Sequence, residues 1–185
     1  MIIIKDNKRV YMIESTYTYG ECSRWDQALL PDNMPLFKAV KSNVLIGGNS
    51  FCELEAIRYL RLPFPSTLNA PELTEKVLPK IKGAMKECDR LDEDGEIAYM
   101  AFAKGEKAFI LTNNFLLAEV QTEKAFGWQA ERLRYALATT QGQPLMQRVK
   151  NIYRSVSRLL KVDLFPLIMM DTKSFQISII KEDEV

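Results

Sequence analysis

Histidine is absent from all 185 residues. That absence removes Ser-His-Asp and Cys-His catalysis, histidine-ligated zinc and any imidazole general base. Cysteine is scarce too: Cys22, Cys52 and Cys88 are too few for a four-cysteine zinc site and follow no motif spacing. A reduced, cytoplasmic setting is the simplest expectation for such thiols. No charge sign dominates, since 25 Lys and Arg meet 24 Asp and Glu for a formal net charge of +1. Electrostatically driven nucleic-acid binding needs a clear basic excess and is not expected. No apolar run approaches the length of a membrane span. Met1-Ile2-Ile3-Ile4-Lys5-Asp6 lacks a basic segment followed by a long apolar core, so no signal peptide is expected. Gly and Pro are few, eight of each, and there is no repeat, linker or low-complexity stretch.

What remains is the composition of a soluble globular protein, 47% apolar and 26% charged. A chain of this length is expected to form one domain over residues 1–185, with an acidic flexible tail at 181–185. Ile2–Lys5 and Arg9–Glu14 are predicted strands around an Asp6-Asn7-Lys8 turn, and Thr16-Tyr17-Thr18-Tyr19 continues with strand propensity. Residues 20–35 hold Gly20, Pro31, Asp32, Asn33 and Pro35 and are predicted to be a loop. Leu36–Val40 and Val44–Gly47 form a second predicted hairpin.

The run from Val44 to Leu60 is the most informative stretch. A buried-strand pattern ends in Gly47-Gly48, and a helix over about 50–62 starts from a Ser50-x-x-Glu53 capping box and stops before Pro63 and Pro65. A second helix is predicted over 74–91, kinked or divided at Pro79. Three strands follow at Glu96–Ala103, Lys107–Thr112 and Phe115–Gln121, then helices at 129–139 and 145–160. Leu164–Met170 and Phe175–Ile180 close the chain as a strand pair. Strand groups separated by helix pairs predict an α+β fold, a four-layer α/β/β/α sandwich of two mainly antiparallel sheets. A doubly wound parallel sheet would alternate strand and helix singly.

This order resembles the proteasome-type N-terminal nucleophile hydrolases over nearly the whole chain. Lys5-Asp6 followed by Val10-Tyr11-Met12-Ile13-Glu14 resembles the family's first hairpin, whose second strand carries a catalytic acid. Leu36-Phe37-Lys38-Ala39-Val40 and Val44-Leu45-Ile46-Gly47-Gly48 are similar to the strand pair and Gly turn before the family's first helix. Phe126-Gly127-Trp128, and the last helix with Leu167-Ile168-Met169-Met170-Asp171, resemble the segments after the central strands and near the end.

The resemblance implies amide hydrolysis by a residue-1 Thr, Ser or Cys whose own α-amino group is the base. A lysine, an acid and a serine complete that site. Here Met1 and Ile2 start a strand apparently short of the nucleophile, and no Gly precedes Ser, Thr or Cys to offer an internal cut. Pro35 matches the lysine and Trp128 the serine, while Glu14 alone keeps an acid. The late Gly/Ser-rich turn is replaced by Lys161-Val162-Asp163-Leu164. The three positions Glu14, Pro35 and Trp128 therefore mark a vestigial site rather than a catalytic one.

Other groups have plainer readings. Glu14 suits a rim or ion-paired carboxylate as well as a leftover catalytic acid. Cys22 beside Arg24 and Cys52 in a first helical turn have settings that lower thiol pKa values, but without histidine they are read as inert. Gly47-Gly48-Asn49-Ser50 lacks the Gly-Lys-Ser/Thr of a phosphate loop, and Asp89, Asp92, Glu93, Asp94 and Glu96 lack the ligand alternation of a calcium loop. Lys150, Arg154, Arg158 and Lys161 form a basic stripe opposite Leu145, Val149, Ile152, Val156 and Leu159, read as a solvated helix face.

The functional expectation is a non-catalytic, proteasome-subunit-like protein without cofactor or metal. It would act as a homo-oligomer, ring-forming as in the family, through the helices at 50–62 and 74–91, with no nucleic acid or membrane partner. Two alternatives stand beside it. One is a processed threonine-type peptidase or other amide hydrolase, using a nucleophile such as Thr16 or Cys22. The other is a small-molecule binding module using the cleft between the sheets, with Trp128 in it.

Overall fold

Side-chain alternation along the first two strands sorts the molecule into layers. The structure is a computed structural model and describes residues 1–6, 8–15, 35–48, 51–91 and 94–182. Strands β1 (Ile2–Asp6) and β2 (Arg9–Ser15) pair antiparallel, with Ile2 opposite Ile13 and Ile4 opposite Tyr11. Ile2, Ile4 and Ile13 lie in one apolar cluster, whereas Met1, Ile3, Val10 and Met12 lie in another. A strand presents successive side chains to opposite faces, so a sheet buried on both sides needs apolar residues at every position.

Two five-stranded antiparallel sheets result. The first has the order β10-β9-β2-β1-β8, with β8 at Glu123–Ala125, β9 at Leu167–Asp171 and β10 at Ser178–Ile180. The second runs β3-β4-β5-β6-β7 through Leu36–Lys38, Leu45–Gly48, Met100–Lys104, Lys107–Leu111 and Leu117–Glu119. Ala101, Ala103 and Ala108 face the inter-sheet layer opposite the bulkier Met12, Ile168 and Met170. Small side chains on one sheet admit large ones from the other, which is how a dense interior is reached without voids.

Helices cover both outer faces. Over the second sheet lie α1 (Phe51–Arg58), α2 (Ala70–Glu72) and α3 (Leu78–Glu87), the last two joined through a π-helical turn at Leu73–Val77. Over the first lie α4 (Ala130–Thr139) and α5 (Leu145–Leu160). The four-layer sandwich expected from the element order is the observed architecture, and both sheets are wholly antiparallel.

Several boundaries moved for local reasons. The second helix starts at Ala70, earlier than expected, because Asn69 accepts the Glu72 N–H at 3.0 Å and its amide returns a bond to the Glu72 carboxylate at 2.7 Å. Of the two expectations at Pro79, the division is observed, with a new helix beginning at Leu78. Pro79 occupies the first turn of α3, where its missing N–H costs nothing, and the wide turn before it closes with Leu78 N–H on the Leu73 carbonyl. The first helix ends at Arg58, four residues before the expected 62. Strand β8 was not foreseen: Glu-Lys-Ala has little strand propensity and is held by pairing with β1. The expected strand at Thr16–Tyr19, the loop to residue 34, the Asp92-Glu93 turn and the tail from residue 183 lie outside the described residues.

Candidate functional site

The β1–β2 register carries Met1 to the position across from Glu14. The Met1 α-amino group lies 2.8 Å from Glu14 Oε2, with the Met1 side chain fully buried and that of Glu14 15% exposed. The same amino group donates to the Phe126 carbonyl at 3.2 Å, and Phe126 N–H donates back to the Met1 carbonyl at 3.1 Å. These two bonds extend the β1–β8 ladder past its last pair, Ile2 with Ala125. Glu14 Oε1 also accepts the Ser15 N–H at 2.8 Å, so both carboxylate oxygens are engaged. The first strand thus begins opposite the acid, with Met1 directly before its first residue.

The Met1 thioether runs into the inter-sheet layer and stops against Gly47. A Cβ at Gly47 would lie 2.6 Å from Leu36 Cδ2, 2.9 Å from Met1 Cε and 3.0 Å from Met1 Sδ. Glycine is used here for close approach: the space a side chain would take is filled by Met1 and Leu36. Around the acid the described groups include the Met1 ammonium, the Ser15 amide and, through its charge alone, the Tyr153 phenol, and the Met1 side chain brings only a thioether. A thioether has no proton to lose and cannot become an oxygen or sulfur anion.

Of the three positions expected to mark the site, Glu14 is bonded to Met1. Pro35 is half-buried at the start of β3, and its carbonyl accepts the Gly48 N–H at 3.2 Å. Its neighbour Leu36, not Pro35, contributes the side chain that meets Met1 at Gly47. Trp128 packs against the core beneath α4 and α5, the helix side of the first sheet. That corrects the expectation of Trp128 in the cleft between the sheets: Gly127, at φ 75°, turns the chain away after Phe126. Ser15 also faces the helix side, donating from Oγ to the Leu164 carbonyl at 2.7 Å. Tyr153, buried on that side, donates to the Ile13 carbonyl at 3.0 Å. Burial, and then the nearby Glu14 charge, push the Tyr153 phenol well above its ordinary pKa.

Other sequence candidates separate as follows. Thr16, Cys22, Asn49 and Ser50, like the Cys52 side chain, lie outside the described residues. Glu53, expected in a capping box, sends Oε1 to the Ala98 N–H at 3.2 Å. Cys88 is an exposed free thiol. Among the described residues no group of three or more His, Cys, Asp or Glu is placed to hold a metal. The basic stripe of α5 is not one solvated face: Lys150 is 9% exposed, and Arg154 pairs with Glu182 at 3.4 Å. Leu159, expected on the apolar face, is 67% exposed because Leu160 packs inward instead.

Two features had no sequence signal. Arg148, 9% exposed, pairs with Glu123 Oε2 at 2.7 Å and donates to the Leu137 carbonyl at 2.8 Å, tying α5 to β8 and to the end of α4. A cavity of about 410 Å³ opens beside Phe126 where the chain crosses from β7 to β8.

The fold is that of the proteasome-type N-terminal nucleophile hydrolases. Thiobacillus denitrificans BPH, solved in complex with epoxomicin, is 14% identical at a TM-score of 0.71, covering 92% of this chain and 96% of that one. Anbu (ancestral beta-subunit) from Yersinia bercovieri is 14% identical at 0.60, covering 99% and 87%. The eukaryotic HslV from Trypanosoma brucei is 13% identical at 0.57, covering 92% and 97%. No protein-family model matches the sequence, and no curated protein is similar to it. Among the described residues no helix is long and apolar enough to cross a membrane.

Proposed function

We propose that this protein is a non-catalytic, proteasome-subunit-like protein that acts by assembling with copies of itself. The observation that carries this reading is Met1 itself, its α-amino group on Glu14 and its thioether against Gly47, where the fold's catalytic members would need a hydroxyl or thiol. Pro35 and Trp128, at the positions matching the lysine and the serine, supply neither an amine nor a hydroxyl. The acid that remains is committed to the chain's own amino group and to the Ser15 amide, as a structural ion pair would be.

The outer helices support the assembly half of the reading. Gly83 stands exposed in the middle of α3 with nothing within 4 Å of its missing Cβ. Glycine there costs about 1 kcal/mol of helix stability relative to alanine. It leaves a flat spot on which another backbone can rest. Tyr59, just past α1, is 68% exposed on the same side of the molecule.

Size-exclusion chromatography with light scattering tests assembly. A closed homo-oligomer is expected, and a monomer at high concentration overturns that half. Incubation with fluorogenic peptides and with epoxomicin, found in complex with the Thiobacillus denitrificans protein, tests the other half. No turnover and no inhibitor-bound mass are expected. An intact mass from the native host showing a chain cut to begin at Thr16 or Cys22, with peptidase activity, would establish the hydrolase reading instead.

A further inference from the structure

From the cavity beside Phe126 we infer a binding site for a small organic acid, a carboxylate carrying an apolar tail. The inference stands independently of the assembly reading. The cavity lies where the two sheets separate at their β7 and β8 edges. At about 410 Å³ it is within the small-molecule range of about 300–1,000 Å³. Tyr99, Ile110, Ala118 and Phe126 line it, and its exposed lining is mostly apolar. Ile110 and Phe126 belong to the inter-sheet core, so the cavity reaches down to that core.

Two cations stand at its wall, Lys124 from β8 and Arg134 from α4. Both are exposed, and neither is ion-paired among the described residues. Two nearby acids are already taken: Glu119 on β7 pairs with Lys107 at 2.5 Å, and Glu123 on β8 with Arg148 at 2.7 Å, which leaves Glu131, in the first turn of α4, as the acid nearest Arg134 in sequence. Arg134 Nε donates to the Ala130 carbonyl at 3.3 Å, which holds the guanidinium beside the first turn of α4. The opening turn of that helix lines the same cavity and has no side-chain cap, and the Glu131 carboxylate in that turn offsets part of its dipole. Apolar walls flanked by two cations, against one nearby carboxylate at Glu131, fit a monoanion with a hydrocarbon tail. A cation of the same shape would be repelled, and an inorganic anion would leave the walls wet.

Isothermal titration calorimetry with octanoate, octanol, octylamine and acetate tests this on the full chain. Octanoate is expected to bind, octanol at least about fivefold more weakly, and octylamine and acetate not at all. Lys124→Gln and Arg134→Gln are each expected to weaken octanoate about fivefold while leaving octanol unchanged. Both side chains are exposed, so the variants should keep the wild-type melting temperature. Ala118→Phe, at another exposed position, is expected to fill the mouth and abolish binding. The site is refuted if octanoate does not bind, if octanol or octylamine binds as tightly, or if the two charge variants bind octanoate like wild type.

Discussion

Replacing Arg148 by methionine probes the contact that holds β8 in place, and through β8 the wall of the cavity and the Phe126 bonds to Met1. Methionine keeps most of the arginine stem, so the cavity penalty of a truncation is avoided. Three interactions are lost, the weakest a bond from Nε to Thr140 Oγ1 at 3.4 Å. The ion pair with Glu123 at 2.7 Å has side chains 11% and 22% exposed, between the surface case of about 0–1 kcal/mol and the buried case of about 3–5 kcal/mol. A value of about 1–2 kcal/mol follows. The bond to the Leu137 carbonyl at 2.8 Å caps the last turn of α4, where a cation is worth about 1 kcal/mol. Thr140 retains weak bonds to that carbonyl, from Oγ1 at 3.3 Å and from its amide at 3.4 Å, so the acceptor is not left bare.

The expected loss is about 2–3 kcal/mol, a fall in melting temperature of about 4–12 °C for a chain of this size. Thermal and urea denaturation followed by circular dichroism, at one fixed protein concentration, measures it. Glu123→Gln should cost about 1 kcal/mol, and the double variant should show a coupling of about 1–2 kcal/mol. Hydrogen exchange should quicken at Glu123–Ala125 before it quickens at β1. A coupling below about 0.5 kcal/mol, or unchanged exchange in β8, would show that the strand is held by its pairing with β1 alone.

Tyr153→Phe removes the donor to the Ile13 carbonyl and should cost about 1–2 kcal/mol. Because its folded pKa is raised, Tyr153 favours the fold fully below its unfolded value and loses that contribution above about pH 10; the variant should unfold less steeply in alkali. Burial pushes the Asp171 carboxyl up, but N–H bonds from Ser174 and Lys173, the Ser174 hydroxyl and the Arg9 charge together hold it below its ordinary value. Its contribution is therefore present at neutral pH and lost below about pH 4, and Asp171→Asn should flatten the acid limb of a stability-against-pH curve. Gly83→Ala should stabilise α3 by up to about 1 kcal/mol. Gly83→Trp should leave the fold intact by circular dichroism and shift the light-scattering mass toward monomer, and an unchanged mass would remove α3 from the contact.

Patterns with a short repeat were legible in the residues alone. Apolar runs bounded by turn residues placed the β1–β2 hairpin close to its observed bounds and β9 within three residues, and the 3.6-residue period placed α5 at Leu145–Leu160 without error. Local chemistry explains why: side-chain direction and backbone hydrogen bonding within an element depend on near neighbours. The order of those elements was enough to expect two sheets between helix layers.

Contacts between distant segments were decided only in three dimensions. Strand β8 exists because β1 offers it an unpaired edge, not because Glu-Lys-Ala prefers to be extended. The meeting of Met1 with Glu14 and Phe126, the seat of its thioether on Gly47, and the turn that puts Trp128 behind the sheet all depend on how two sheets stack. So does the cavity, whose walls come from residues between 99 and 134. The sequence by itself determined periodicity, layer count and the chemical identity of each position, since these are set locally. The tertiary structure decided which of those positions face one another, because the free energy of burying apolar surface has no direction and takes its geometry from packing.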